Sequence, residues 1–438
     1  MRKLSQTDRW RAGCGESRTS GSERGMEKRT LGATRSVPTL RALRSGKTFI
    51  MGAGLVALTL PGILACSGVT ESSGVINSNA APAENRTAMD NSSKTETTDL
   101  IDSRLVSANT RFGFKLFSEV ASRNAGKNVL ISPSSVALAL AMTYNGADGE
   151  TRQAISRGLE LNQMSLEEAN RANLQLKSAL EKADPKVQLQ IANSLWARRE
   201  VRFRPDFLER NKEFYGAEVT ELDFNDPNSP AAINDWVSRK TNGKIERIVD
   251  LIDRDSILFL INAIYFKGKW TAEFKKEETR EDNFTTADGR QKRHPMMSQS
   301  GKYDYFDGKK FQAVSLPYGD RRLSMYIFLP AKGSTLAELQ KSLTAENWEK
   351  WMDEFDQTPG DIVVPRFRVE YEVELNDALA SLGMGVAFDP DRANFSKMVQ
   401  GNEQVAIKKV KHKTFAEVNE EGTEAAAATS VEVTVTSV

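Results

Sequence analysis

The segment that decides the fold is the last one, residues 417–438: Glu417-Val-Asn-Glu420-Glu421-Gly422-Thr423-Glu424-Ala425-Ala426-Ala427-Ala428-Thr429-Ser-Val431-Glu432-Val433-Thr434-Val435-Thr436-Ser437-Val438. Its local signals conflict. Glu424 followed by four alanines favours a helix, whereas Val431, Val433 and Val435 alternate with Glu432 and Thr434 as in a strand with one buried face. Gly422 places a flexible joint in front of both. Small side chains from Ala425 to Ala428 can slide between neighbouring strands with little steric resistance. Fully extended, Thr423–Thr436 would span up to roughly 46–50 Å, the length of a central strand in a large sheet. Read alone, the segment stays open between that strand and a helix with a frayed tail.

Working outward, helical periodicity comes first and strand alternation second. Leu105, Phe112, Leu116 and Val120 share one face of a helix running to about Ser122. Ser132-Pro133-Ser134 opens a second helix that Asn145-Gly146 stops, and two more amphipathic helices are predicted near Glu150–Leu161 and Leu166–Lys182. Strands follow. Val187, Leu189 and Ile191 alternate with polar residues, Ile257–Phe266 is a continuous apolar run suited to a buried central strand, and Leu323–Leu329 and Phe367–Val373 alternate again. Helices followed by long strands, without a βαβ rhythm, indicate an α+β fold with a mixed or mainly antiparallel sheet.

Composition narrows the function. Of 438 residues 39% are hydrophobic and 27% charged, enough apolar material for a sizeable core. The net charge is +1, but residues 1–50 carry 12 Lys/Arg against 4 Asp/Glu and the remainder is net acidic. Nucleic acid is therefore not an expected partner of the folded part. The two cysteines are Cys14 and Cys66, so no disulfide framework or thiolate metal site is expected beyond residue 66. The two histidines are His294, read as exposed in a charged loop, and His412. No nucleophile elbow, zinc-binding pair or phosphate-binding loop occurs downstream, so neither an enzyme nor a cofactor is expected. The Asp389-Pro390-Asp391 cluster reads as a solvated turn.

The N-terminal part reads as an address. Arg41, Arg44 and Lys47 precede an uncharged run ending in Ile63-Leu64-Ala65-Cys66, the layout of a secretory signal. That ending looks like a bacterial lipobox, in which the cysteine becomes the lipidated first residue; a plain signal peptide or signal anchor is the other reading. Residues 1–65 are assigned to an extension and signal peptide, and 66–98 to the lipidated Cys66 and a Ser/Thr/Asn-rich flexible linker. Residues 99–438 form the folded domain. The expected location is outside the cytoplasm, anchored to a membrane. Translation starting at Met26 or later would shorten the extension.

Glu420-Glu421-Gly422-Thr423-Glu424-Ala425-Ala426-Ala427-Ala428-Thr429 closely resembles the hinge of the reactive-centre loop of inhibitory serpins. Other stretches agree in order. Asn128–Ser135 is similar to the start of the serpin B helix, Phe259–Trp270 to the central-strand signature, and Val364-Pro365-Arg366-Phe367 and Asn394-Phe395-Ser396 to further family motifs. The resemblance covers residue 101 to the end. It implies the serpin fold: N-terminal helices, a large mixed central sheet, a second smaller sheet region, and an exposed reactive-centre loop over residues 420–438.

It also implies the activity. Serpins are suicide inhibitors of serine proteases and sometimes of cysteine proteases: the protease acylates itself on the loop, which then inserts into the main sheet and drags the protease along. Small hinge residues from Ala425 to Ala428 match inhibitory members rather than non-inhibitory binding or chaperone-like ones. Counting from Gly422 puts the reactive bond at Thr436–Ser437, whose small uncharged side chains suit an elastase-like or subtilisin-like target over a trypsin-like one. Ser132, Ser135, Asn262 and His412 match the polar shutter where strands part, although alone they read as helix capping and a core histidine. Trp270, Arg366 and Glu420 match the breach where insertion begins. A monomer is expected. Members continue for a few dozen residues past the reactive bond, supplying core strands, whereas here two residues follow it. The resemblance therefore implies a fragment, a missing separate chain or a truncated gene, and a truncated product would lack inhibition.

Overall fold

The computed structural model describes residues 101–286 and 290–437. The signal, the linker and Cys66 lie outside the described residues. The predicted helices form. Helix α1 (Ser103–Arg123) is capped by Asp102, and α2 (Pro133–Tyr144) starts at the Ser132 N-cap with Pro133 in its first turn. Helices α3 (Gly149–Gly158) and α4 (Leu166–Glu181) follow, the latter opened by a Ser165/Glu168 capping box. All of α2 except Ser134 is buried, so this helix lies inside the molecule and not on it.

Strands β1 (Val187–Arg198), β2 (Glu218–Leu222) and β3 (Ser256–Lys269) are separated by α5 (Pro205–Tyr215) and α6 (Ser229–Lys240). Then come β4 (Arg280–Thr285), β5 (Gln291–Asp307), β6 (Phe311–Tyr318) and β7 (Leu323–Pro330), and after two short helices β8 (Asp356–Pro365) and β9 (Phe367–Glu374). The chain closes with β10 (Gln404–Val418) and β11 (Gly422–Ser437). The large sheet has the order β2-β1-β3-β11-β10-β9, with β1 and β2 parallel and every other pair antiparallel. The second sheet runs β4-β5-β6-β7, and β8 joins it through β5.

Here the expectation of an exposed loop is corrected. Residues 422–437 are β11, a central strand paired with β3 on one side and β10 on the other. The physical reason is backbone satisfaction combined with size. A strand placed there completes two ladders at once, and Ala425, Ala426, Ala427 and Ala428 fit between sheet neighbours with at most 3% exposure. Odd-numbered residues of β11 face α2: Ala425, Ala427, Val431 and Val433 join the main core. Even-numbered Ala426 and Ala428 join a second cluster with Ile233, Trp236 and Val237 of α6. Each buried valine contributes about 1.5–3 kcal/mol.

Candidate functional site

Three stations along β11 contain the residues singled out from the sequence. At the upper end, the chain turns from β10 into β11 through Asn419. Its side-chain Oδ1 accepts from the backbone N–H groups of Glu421 (3.0 Å) and Gly422 (3.2 Å). Glu420 is buried; Thr279 Oγ1 donates to it at 2.8 Å and Arg366 stands 3.6 Å away, itself half exposed. Lys276 pairs with Glu421 at 2.6 Å on the rim. These residues line an open cleft of about 490 Å³. Trp270 Nε1 donates to the Asn419 carbonyl (2.9 Å), and its ring stacks on Tyr318 with centroids 4.5 Å apart. The Tyr318 hydroxyl donates to Thr423 Oγ1 at 2.7 Å. The breach residues Trp270, Arg366 and Glu420 are thus brought together, with Tyr318 and Thr279 as members that no sequence signal marked.

Gly422 is the tightest point. A Cβ there would overlap the carbonyl oxygen of Gly268 and stand 2.8 Å from Lys269 Cα, both backbone atoms that cannot swing aside.

In the middle, His412 organises a buried relay. Its Nε2 accepts from the backbone N–H of Ser132 at 2.9 Å. The proton therefore sits on Nδ1, which donates to Thr429 Oγ1 at 2.8 Å. Thr429 can then donate to Ser135 Oγ at 2.9 Å. Burial pulls the imidazole down to about 4, so it is neutral at pH 7 and keeps its acceptor. Ser132, Ser135 and His412 meet as the resemblance implies, with Thr429 of β11 closing the group. Asn262 lies opposite Thr429 in the register but donates to Asn193 Oδ1 at 2.9 Å instead, and among the described residues its Oδ1 has no partner. It is therefore a neighbour of the relay and not a link in it.

At the lower end, Val435 N–H donates to the Asp255 carbonyl (3.0 Å) and Thr436 Oγ1 to the Pro390 carbonyl (2.9 Å). Ser437 pairs with Gln404. The expected reactive bond therefore lies at the opposite end of the sheet from the hinge. One carboxylate is enclosed here. Glu432 is 6% exposed and its partner is the Ser256 hydroxyl at 2.5 Å. Burial pushes its pKa up, and that hydroxyl offsets only part of the effect.

Three of the four lysines on β10 are ion-paired: Lys408 with Asp253 and Asp255, Lys411 with Asp250 and Glu372, and Lys413 with Glu372. His294 is not in an exposed loop but half-buried on β5, 2.5 Å from the Arg366 carbonyl. No group of three His, Cys, Asp or Glu among the described residues could hold a metal ion.

Comparison with known proteins gives one answer. The family model described as Serpin (serine protease inhibitor) matches residues 107–438. The chain is similar to human Serpin B8, 38% identical over 335 residues, covering 75% of this chain and 88% of the relative. It is also similar to human leukocyte elastase inhibitor, 36% identical over 339 residues, covering 75% and 89%. A solved structure described as Cleaved Serpin 42Da superposes with a TM-score of 0.71 at 31% identity, covering 76% of this chain and 90% of that one. From the hinge, the relay and these matches together, the chain belongs to the serpin family.

Proposed function

We propose that this serpin is a suicide inhibitor of serine proteases that works by moving residues 422–437 from an accessible loop into the position of β11. The protease serine attacks the Thr436 carbonyl, its proton passes to the Ser437 nitrogen, and the Thr436–Ser437 bond breaks to leave an ester with the protease. Insertion then carries that ester the length of the sheet, because the hinge and the reactive bond sit at opposite ends of β11. The supporting observation is β11 itself: a strand with small residues at its tight upper end, seated with both ladders made. Chain strain released on insertion keeps the acylated protease distorted.

The residues at the bond favour an elastase-like or subtilisin-like target, in keeping with the name of the leukocyte elastase inhibitor among its relatives. A cysteine protease is a second kind of target. The signal-like leader and Cys66 support an anchored, extracytoplasmic lipoprotein of the bacterial type; intact mass of the Cys66 peptide carrying acyl chains tests that reading. Inhibition is tested by titrating an elastase-like and a trypsin-like protease with the protein. Loss of elastase-like activity near one inhibitor per enzyme, with trypsin-like activity spared, is expected. Steady turnover of both would indicate a non-inhibitory member.

A further inference from the structure

Helix α6 and strand β3 are joined by residues 241–255, and this segment crosses over β11. After α6, Thr241 Oγ1 donates to the Val237 carbonyl (2.8 Å) and accepts from the Ile245 N–H (3.1 Å). Asn242 and Gly243 then take left-handed conformations, φ 51° and 74°, and turn the chain back over the sheet. Beyond the turn, Ile245, Ile248 and Val249 are buried in the same cluster as Ala426 and Ala428 of β11. Asn234 fixes this stretch from α6, accepting from the Ile248 and Val249 N–H groups at 2.8 and 3.0 Å. On the far side Asp250 pairs with Lys411 of β10 (2.7 Å), and Asp253 and Asp255 pair with Lys408 (2.6 and 3.1 Å). The segment is thus a strap, held to α6 at one side and to β10 at the other, with β11 beneath it.

One side chain of β11 engages the strap by charge. Glu424 accepts from the Tyr265 hydroxyl at 2.6 Å and pairs with Lys244 at 2.9 Å, and both Glu424 and Lys244 are mostly covered. Lys244 also stands 5.0 Å over the ring of Phe415 on β10. Among the described residues Glu424 is its one ion-pair partner, so a sheet without β11 leaves this cation facing a ring and a hydroxyl. Asn242 Nδ2 lies 3.3 Å from the same Tyr265 hydroxyl, so the turn that aims Lys244 also orients the second donor. Glu424 is the one long side chain on this face ahead of the small residues Ala426, Ala428 and Ser430.

We propose that Lys244 and Tyr265 are a built receptor for the hinge carboxylate of Glu424, and that its arrival latches the 241–255 strap over the inserted strand. They are positioning residues: they touch neither the protease nor the reactive bond. The proposal rests on the insertion reading above, but it concerns how the strand is registered and retained, which can be measured without any protease.

The test is hydrogen exchange of β11 amides, read from peptides spanning 423–432, in the wild-type chain and in K244M, E424Q and the charge-swapped K244E/E424K protein. A partly covered ion pair with a coupling of about 1–1.4 kcal/mol corresponds to about five- to tenfold faster exchange in each single variant, with the swap returning toward wild type. Wild-type exchange rates in both singles, or a swap as fast as the singles combined, overturns the latch. Free-loop exchange rates in the wild type overturn both the latch and the seated strand. A protected, charge-coupled β11 in a protein that never traps a protease supports the latch and removes the inhibitory reading alone.

Discussion

The two ends of β11 carry one glutamate each on the same face of the strand, and their surroundings are opposite. At the upper end burial works against the ionised form of Glu424, but the Tyr265 hydroxyl and Lys244 outweigh it and hold the pKa below the usual carboxylate range. At the lower end burial prevails, and Glu432, with the Ser256 hydroxyl and no cation within ion-pairing distance among the described residues, is pushed above that range. The charges that bear on it are Lys408, already held by Asp253 and Asp255, Lys409, its partner in the register, and Asp253, which repels it. The upper end is thus built to receive a charged strand and the lower end tolerates one. This fits a strand that enters from the hinge: early contacts are specific, and later ones depend on area and backbone pairing.

The harshest way to break the upper end is Gly422→Val. Its side chain would have to displace the backbone of Gly268 and Lys269, an overpacking cost of about 3 kcal/mol or more. Protease trapping should be abolished, with the protein cut as a plain substrate on a boiled gel. Any trapped complex at wild-type yield would mean that Gly422 does not pass this gap.

Acidification tests the middle, where neither end's rule applies. His412 has its pKa depressed from 6.5 to about 4 by burial. The unfolded chain therefore takes up the proton first as pH falls, and stability is lost between those two values, by up to about 3 kcal/mol. Urea unfolding at pH 7.5, 6, 5 and 4 should show the decline, and His412→Gln should flatten it.

Arg366→Ala sharpens the upper end further. Glu420 would keep Thr279 but lose its cation while remaining buried, costing about 1–2 kcal/mol and slowing trapping several-fold; the stability change and the trapping rate check it. Arg366 is half exposed, which keeps the effect well below that of an enclosed pair.

Smallest is Glu432→Gln at the lower end, where the sign is the informative part. With its pKa raised in the sheet and ordinary in a loop, Glu432 imposes no penalty at low pH, and the penalty grows as pH rises through the raised value. Glu424 behaves oppositely: its contribution is complete above the ordinary carboxylate range and is lost as pH falls through its lowered value. Exchange rates of residues 430–435 should slow in E432Q at pH 8 and match wild type near pH 4. Equal slowing at both would remove charge burial as the cause.

Much of this was legible before the fold. The helix start at Ser132, the amphipathic stretch from Leu166, the apolar run of β3 and the alternation of β7 and β9 announce themselves, because caps and periodicity are local. Ala425–Ala428 followed by alternating valines held the right answer too, but as one of two readings: the helix-forming alanines yield to strand because β3 and β10 supply both ladders, a tertiary fact. The family pattern named Trp270, Arg366, Glu420, Ser132, Ser135 and His412, which the fold sets beside β11. It could not place Asn262, whose side chain turns to Asn193 on the neighbouring strand, and it expected an exposed loop where a strand is seated. Tyr318, Thr279, Lys244 and Ser256 gave no signal, since each meets residues 420–432 from more than a hundred positions away.

The most direct measurement is peptide mass mapping of the covalent complex formed with an elastase-like serine protease. Inhibition by insertion predicts an ester between the protease serine and the carbonyl of Thr436, stable to boiling, with residues 423–432 protected from exchange in the same complex. A shortened chain beside fully active protease, or an ester on a loop whose amides still exchange freely, would contradict it.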